Sequence, residues 1–142
     1  MKLLGIDYGL KRIGLATTDL GRSIASPLVT IQNRGDKKNV ATISDICRQH
    51  NIGGIVCGVP LDIVGGENDM SRIVRQFGVK LGESLSIEIV FVNERYSSKE
   101  AEEHIRENLG ITNREKVAEL VDKMAAAMIL SDYINGDGNE IH

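Results

Sequence analysis

Residues 2–17, KLLGIDYGLKRIGLAT, decide the fold. The first six, KLLGID, read as a buried strand that ends on an acid, Asp7. A turn carrying Gly9 follows, and RIGLAT at 12–17 reads as a second strand. The link is too short for a crossover helix, so the two strands must pair antiparallel. Residues 24–31, IASPLVTI, extend this to a three-stranded meander. Pro27 removes a ladder donor, which places that third strand at a sheet edge.

Beyond the polar loop NRGDKKN, the pattern changes period. Val40, Ile43, Ile46 and Cys47 recur at helical spacing. A strand, GIVCGV, is expected at 54–59, then a glycine-rich loop, PLDIVGGEND. Met70, Ile73, Val74, Phe77 and Leu81 mark a second helix. Residues 87–92, IEIVFV, form a near-continuous apolar run, as in a strand covered on both faces. Ser97, Ser98, Lys99 and Glu100 fit a capping box that opens a third helix. LGITNR at 109–114 is a turn, and a last helix is expected from about Glu115 to Ile134. The order βββαβαβαα implies parallel strands joined by right-handed crossovers in the second half. The expected architecture is α/β, a five-stranded mixed sheet flanked by helices. Residues 1–136 form one domain, and 137–142 form a short flexible tail.

The composition narrows the function. The chain has 142 residues, enough for one core, with 42% hydrophobic and 26% charged residues. No apolar run approaches the roughly 20 residues of a membrane helix. Lys2, Asp7, Lys11, Arg12 and Asp19 exclude a secretory signal in the first 20 residues. A cytoplasmic location with no membrane partner is expected. Cys47 and Cys57 match no metal-site spacing and read as small buried hydrophobes. His50, His104 and His142 are scattered and read as surface residues. The net charge of −3 is unusual for a nucleic-acid binder. Bound divalent cations would reverse the sign of an acidic site.

Three acids stand out. Asp7 ends one hydrophobic strand and Glu94 follows another. Ligands of open α/β sheets gather beyond the carboxyl ends of parallel strands. Asp122 lies at the edge of the last helix's apolar stripe, whose centre is expected at Val117, Val121, Met124 and Met128. Neighbouring Ala118 and Ala125 would let that helix approach the sheet. Converging carboxylates repel unless a cation holds them, and Mg²⁺ needs only one or two carboxylates per ion. Two such ions can activate water and stabilise the leaving oxygen of a phosphodiester. If the strands of Asp7 and Glu94 are two places apart, their backbones lie roughly 9–10 Å from each other. The strand between would reach Gly58, leaving that gap free of side chain. Basic residues flank each acid: Lys11 and Arg12, then Arg95, then Arg114 and Lys116. Each is a candidate phosphate contact.

With those residues in place, the chain resembles the YqgF-type family, described as Holliday-junction resolvases or pre-16S rRNA nucleases. The resemblance runs from about Leu3 to Ile134. It rests on GIDYGLKRIGLA at 5–16, GVPL at 58–61, NERYSS at 93–98 and DKMAAAMIL at 122–130. It implies an RNase H-like fold and places the family's catalytic, metal-holding acids at Asp7, Glu94 and Asp122. The implied cofactor is Mg²⁺, with Mn²⁺ as the alternative. Two positions depart from the family pattern. Asn93 stands where an acid is usual, and Ile63, Val64, Gly65 and Gly66 replace a Met-Asp-Gly turn.

Three functions follow from different classes. One is a metal-dependent nuclease acting on structured or precursor RNA, such as the 5′ end of a small-subunit rRNA precursor, or on branched DNA. Another is a noncatalytic nucleic-acid-binding module, for which three mutually repelling acids would be unnecessary. The Asp7-x-Gly9 and Gly14 pattern also resembles the phosphate loop of actin-like ATPases, which need a second lobe. Precursor RNA is favoured over four-way junctions. Scarce aromatics and helix stripes wide enough for one core argue for a monomer or weak dimer. The acidic charge suits a protein that draws affinity from a partner such as the ribosomal particle.

Overall fold

The computed structural model describes residues 1–62, 64–94, 98–136 and 140–141. Three strands open the chain: β1 (Lys2–Tyr8), β2 (Arg12–Thr18) and β3 (Ala25–Gln32). They are followed by α1 (Asp36–Gln49), β4 (Ile52–Val59), α2 (Asp69–Leu85) and β5 (Ile89–Asn93). The chain then forms α3 (Ser98–Asn108), α4 (Arg114–Ile134) and β6 (Glu140–Ile141). The sheet order is β3-β2-β1-β4-β5-β6. β1, β4 and β5 are mutually parallel, while β2, β3 and β6 pair antiparallel with their neighbours.

Pro27 lies on the edge strand, as its missing donor requires, beside a register shift between Leu15 and Ala16. The sheet has six strands where the sequence pattern gives five. Glu140 and Ile141 pair with Val92 and Phe91. Two residues have no periodicity to read, so this strand is invisible to patterning. Ser97 of the expected capping box, Ile63 of the glycine-rich loop, and His142 lie outside the described residues.

Alternation along the strands divides the core into two layers. Leu4, Ile6, Ile13, Leu15, Ile55 and Val59 pack with Ile43 of α1 and with Val74, Phe77 and Leu81 of α2. The opposite face, with Leu3, Ala16, Val56 and Val92, packs against Ala126, Ile129 and Leu130 of α4. α3 rides on α4 through Ile105, Val117 and Val121. Helix α2 begins at a reciprocal cap, with Asn68 accepting from the Ser71 amide and Ser71 Oγ accepting from the Asn68 amide.

The buried line of α4 differs from the expected one. Val117 and Val121 are buried, but Met124 and Met128 are only half-buried. Ala126 and Ala127 carry the contact with the sheet instead, together with Ile129 and Leu130. The reason is close approach. A Cβ at Gly5 would lie 2.8 Å from the Ala126 carbonyl oxygen, and one at Gly14 only 2.0 Å from the Asp122 carbonyl oxygen. The helix backbone therefore lies directly on two glycines, where methionine would not fit.

Cys47 and Cys57 are free and buried. Burial pushes both thiols up, that of Cys47 to about 11. Both are therefore inert packing groups. No helix among the described residues is long and apolar enough to cross a membrane.

Candidate active site

Asp7 sits one residue before the end of β1, paired across the ladder with Gly14 of β2. Gly5 faces α4, so two-residue alternation points Asp7 to the same side. Glu94 is the first residue after β5. Its amide donates to the Val59 carbonyl at 3.0 Å, which prolongs the β4–β5 ladder by one rung. Between them lies β4 with Gly58. A Cβ there would meet Ile129 Cδ1 at 2.5 Å and stand 3.6 Å from Glu94 Cβ. The two-strand spacing matches the sequence reading, but the space over Gly58 is taken by Ile129 of α4 rather than left open. The carboxyls of Asp7 and Glu94 come within hydrogen-bonding reach of each other.

Their electrostatics follow from this placement. Burial, above all, pushes the Asp7 carboxyl up to about 9. The charge of Glu94, the hydrogen bond shared with it, and the charge of Asp122 add to the shift. Burial also raises Glu94, while the hydrogen bond from Asp7 opposes that rise. Two acids sharing one site thus make each other harder to ionise. Cations exchange for the protons such acids hold. Two half-buried, hard oxygen donors side by side suit Mg²⁺ or Mn²⁺.

Asp122 approaches from α4, its carbonyl resting over Gly14 and its carboxylate turned toward β2. Arg12 Nε donates to Asp122 Oδ2 at 2.6 Å. Burial raises the Asp122 pKa, and the Arg12 hydrogen bond and charge oppose that rise. Among the described residues, no three His, Cys, Asp or Glu side chains gather tightly enough to hold one ion together. The three acids thus form a pair with a neighbour: Asp7 and Glu94 in contact, and Asp122 close by, neutralised by Arg12.

The turn between β1 and β2 is tied down from outside. The Gly9 amide donates to the Arg12 carbonyl at 2.9 Å, and Asn33 Nδ2 donates to the Gly9 carbonyl at 2.9 Å. Buried Asn39 donates to Asn33 Oδ1 at 2.8 Å, linking the turn to the start of α1. Lys11 is exposed on this turn.

The other expected basic contacts separate. Arg114 lines a cleft with Arg12 and Asp122. Lys116 lies in a different groove, between α4 and β3, with Lys123. Arg95 lies outside the described residues. The Arg12–Asp122 cleft also contains Arg106 of α3, which the sequence reading did not single out. It pairs with Glu102 one turn earlier, the signature of an ordinary solvated helix face. Only the fold reveals what it faces.

Comparison with known proteins agrees with this architecture. Residues 1–136 match the family model described as RuvX, Holliday junction resolvase. A protein of Endomicrobium trichonymphae named "Putative pre-16S rRNA nuclease" is 40% identical over 139 residues, covering 98% of this chain and 99% of the relative. One of the same name from Thermoanaerobacter pseudethanolicus is 34% identical, covering 99% and 100%. Among solved structures, Thermus thermophilus RuvC in complex with a Holliday junction superimposes with a TM-score of 0.57 at 15% identity, covering 99% of each chain. Fowlpox virus resolvase bound to Holliday junction DNA gives 0.59 at 11% identity, covering 96% of this chain and 98% of that one. These likenesses show a RuvC-like, RNase H-type fold.

Proposed function

The chain belongs to the RuvX/YqgF family, and from that premise we propose that it is a metal-dependent nuclease acting in 5′-end processing of pre-16S rRNA. The observation that carries this reading is the half-buried Asp7–Glu94 pair, two carboxyls within hydrogen-bonding reach where parallel strands end. Burying ionisable groups disfavours folding unless something is gained. A site for cations and phosphodiester is the gain the geometry supports.

Asp7 and Glu94 would hold Mg²⁺ or Mn²⁺, and Asp122 would complete the ligand set once its carboxylate leaves Arg12. When bound, the ion supplies charge for the phosphodiester oxygens and for an attacking water. The chain's own residues do the remaining work. Gly58 lets Ile129 of α4 settle onto β4 between the strands of the two acids. Gly14 fixes the height of Asp122 over the sheet. Arg12, released from Asp122, is placed to meet a backbone phosphate. Lys11, Arg95, Arg114 and Lys116 would add phosphate contacts around the acids.

The test is cleavage of a pre-16S rRNA 5′-leader transcript beside a four-way DNA junction, with wild type and Asp7→Asn, in Mg²⁺ and in EDTA. Mg²⁺-dependent cutting of the transcript, lost in Asp7→Asn, is expected. A second reading, resolution of branched DNA, draws on the family description and on the fold shared with junction resolvases. It requires a tight two-fold dimer making symmetric nicks. Sedimentation at micromolar concentration should instead find a monomer or weak dimer. Binding without cleavage of either substrate would identify a noncatalytic module.

A further inference from the structure

A cavity of about 450 Å³ opens beside Asp122, between α3 and α4. Three guanidinium groups line it, each from a different element: Arg12 from β2, Arg106 from the last turn of α3, and Arg114 from the start of α4. The carboxylates among its walls are Glu102 and Asp122. In a chain of net charge −3, three arginines against two acids make a local positive excess.

Arg12 is held by Asp122, but the other two arginines are not committed to structural pairs. Arg106 Nη2 lies 2.8 Å from Glu102 Oε1, but both side chains are more than two-fifths exposed. Such a pair is readily exchanged for a stronger anion. Arg114 is exposed and makes no ion pair among the described residues. Guanidinium is a rigid planar fork that matches phosphate oxygens two at a time. Val117 and Val121 form the apolar floor and fix the cleft's shape.

We propose that this cleft binds a non-scissile backbone phosphate of the RNA strand. Arg106 and Arg114 grip it, and Glu102 competes for Arg106. The proposal rests on the nuclease reading above, since Asp122 is itself part of the cleft wall. A strand with its reacting phosphate over Asp7 and Glu94 would run past Asp122 into this cleft. The contact would set strand direction and the distance from the cut to the gripped phosphate, with no base read.

The test uses the Asp7→Asn protein, which should bind without cutting. Fluorescence anisotropy with a labelled oligouridylate, repeated across salt concentrations, gives affinity and salt slope. Arg106→Ala and Arg114→Ala should each weaken binding about fivefold and flatten the slope by about 0.7, one single-strand phosphate contact. Glu102→Gln should tighten binding, a change of opposite sign that loss of a helix-stabilising pair would not produce. Arg48→Ala, on α1 beyond the opposite face of the sheet, should leave both quantities unchanged. Binding with normal affinity and slope in both arginine variants overturns the cleft and leaves the nuclease reading standing. No binding by the Asp7→Asn protein to oligouridylate, leader transcript or junction overturns both.

Discussion

The two faces of the central sheet are built on opposite rules. Beneath α1 and α2, the strands present mostly large apolar side chains: Leu4, Ile6, Ile13, Leu15, Ile55 and Val59 meet Phe77 and Leu81. One residue out of phase, beneath α4, the same strands present Gly5, Asp7, Gly14, Ala16 and Gly58, with Glu94 just beyond β5. The first face removes apolar surface from water, the dominant source of stability. The second gives up side-chain volume so that a helix backbone can touch the sheet, and it buries carboxyls that oppose folding. Strand alternation thus lets one sheet carry a stabilising layer and a destabilising, chemically competent layer at single-residue spacing.

The largest expected effect separates the layers by chemistry. Asp7→Asn and Glu94→Gln should each lower Mg²⁺-dependent cleavage by on the order of a thousandfold while the protein stays folded. The double variant should be little worse than either single one. Leu4→Ala, on the other face, should destabilise by about 3 kcal/mol yet leave the remaining folded protein active. Full activity in either acid variant would remove that residue from the site.

The second effect separates them by volume. Gly14→Ala places a methyl 2.0 Å from the Asp122 carbonyl oxygen. It should cost about 3 kcal/mol through overpacking and lower activity by shifting Asp122. Leu15→Ala, its neighbour on the apolar face, should cost a similar amount through a cavity, without a specific loss of activity. Denaturant melts with cleavage rates per folded molecule would check the pair. Equal activity in the two would mean that α4 tolerates a shift over the site.

A third, smaller effect concerns pH. The Asp7 carboxyl holds its proton more tightly folded than unfolded, with a pKa of about 9 against an ordinary 3.8. Its contribution to stability is complete below the unfolded value and is lost progressively as pH rises toward about 9. Asn at position 7 has no such loss. In EDTA, Asp7→Asn should therefore melt higher than wild type, by roughly 5 °C near neutral pH, with a gap that widens from acid to alkaline conditions. Mg²⁺ should raise wild type by mass action and the variant less. Identical Mg²⁺ shifts would place the ion elsewhere.

The smallest effect is at Arg12, which touches the acidic layer from β2. Arg12→Ala frees Asp122 from its partner and should tighten Mg²⁺ binding severalfold by calorimetry. It should also flatten the salt dependence of RNA binding by about 0.7. Unchanged Mg²⁺ affinity would mean that Asp122 takes no part in holding the ion.

Much of this was legible in the sequence where a local rule governed. The KLLGID and RIGLAT runs gave the hairpin, Pro27 gave the edge, and strand–helix alternation gave the parallel crossovers. The place of Gly58 between the two acids' strands was readable from the strand order, but not that Ile129 would fill the space above it. The rest depended on partners far away in the chain. The alanines of α4 were readable as allowing a close approach to the sheet, but the stripe was centred on Met124 and Met128, and only Gly5 and Gly14 beneath the helix show where it touches down. Arg12 and Asp122 are 110 residues apart, and only their meeting shows that the arginine starts as a counterion. Arg106, paired with Glu102, is indistinguishable from any solvated helix residue until α3 settles on α4.

The fit of the α4 backbone over Gly14 also orders events in time. On a ribosome, β1 through β5 emerge first, and Asp7 and Glu94 can come together while α4 is still being made. Asp122 joins them only when α4 lies down across β2, a contact between segments more than a hundred residues apart. Such distant closures come late in folding. A nascent chain therefore carries an unfinished acidic centre, and the final docking of one helix serves as the arming step.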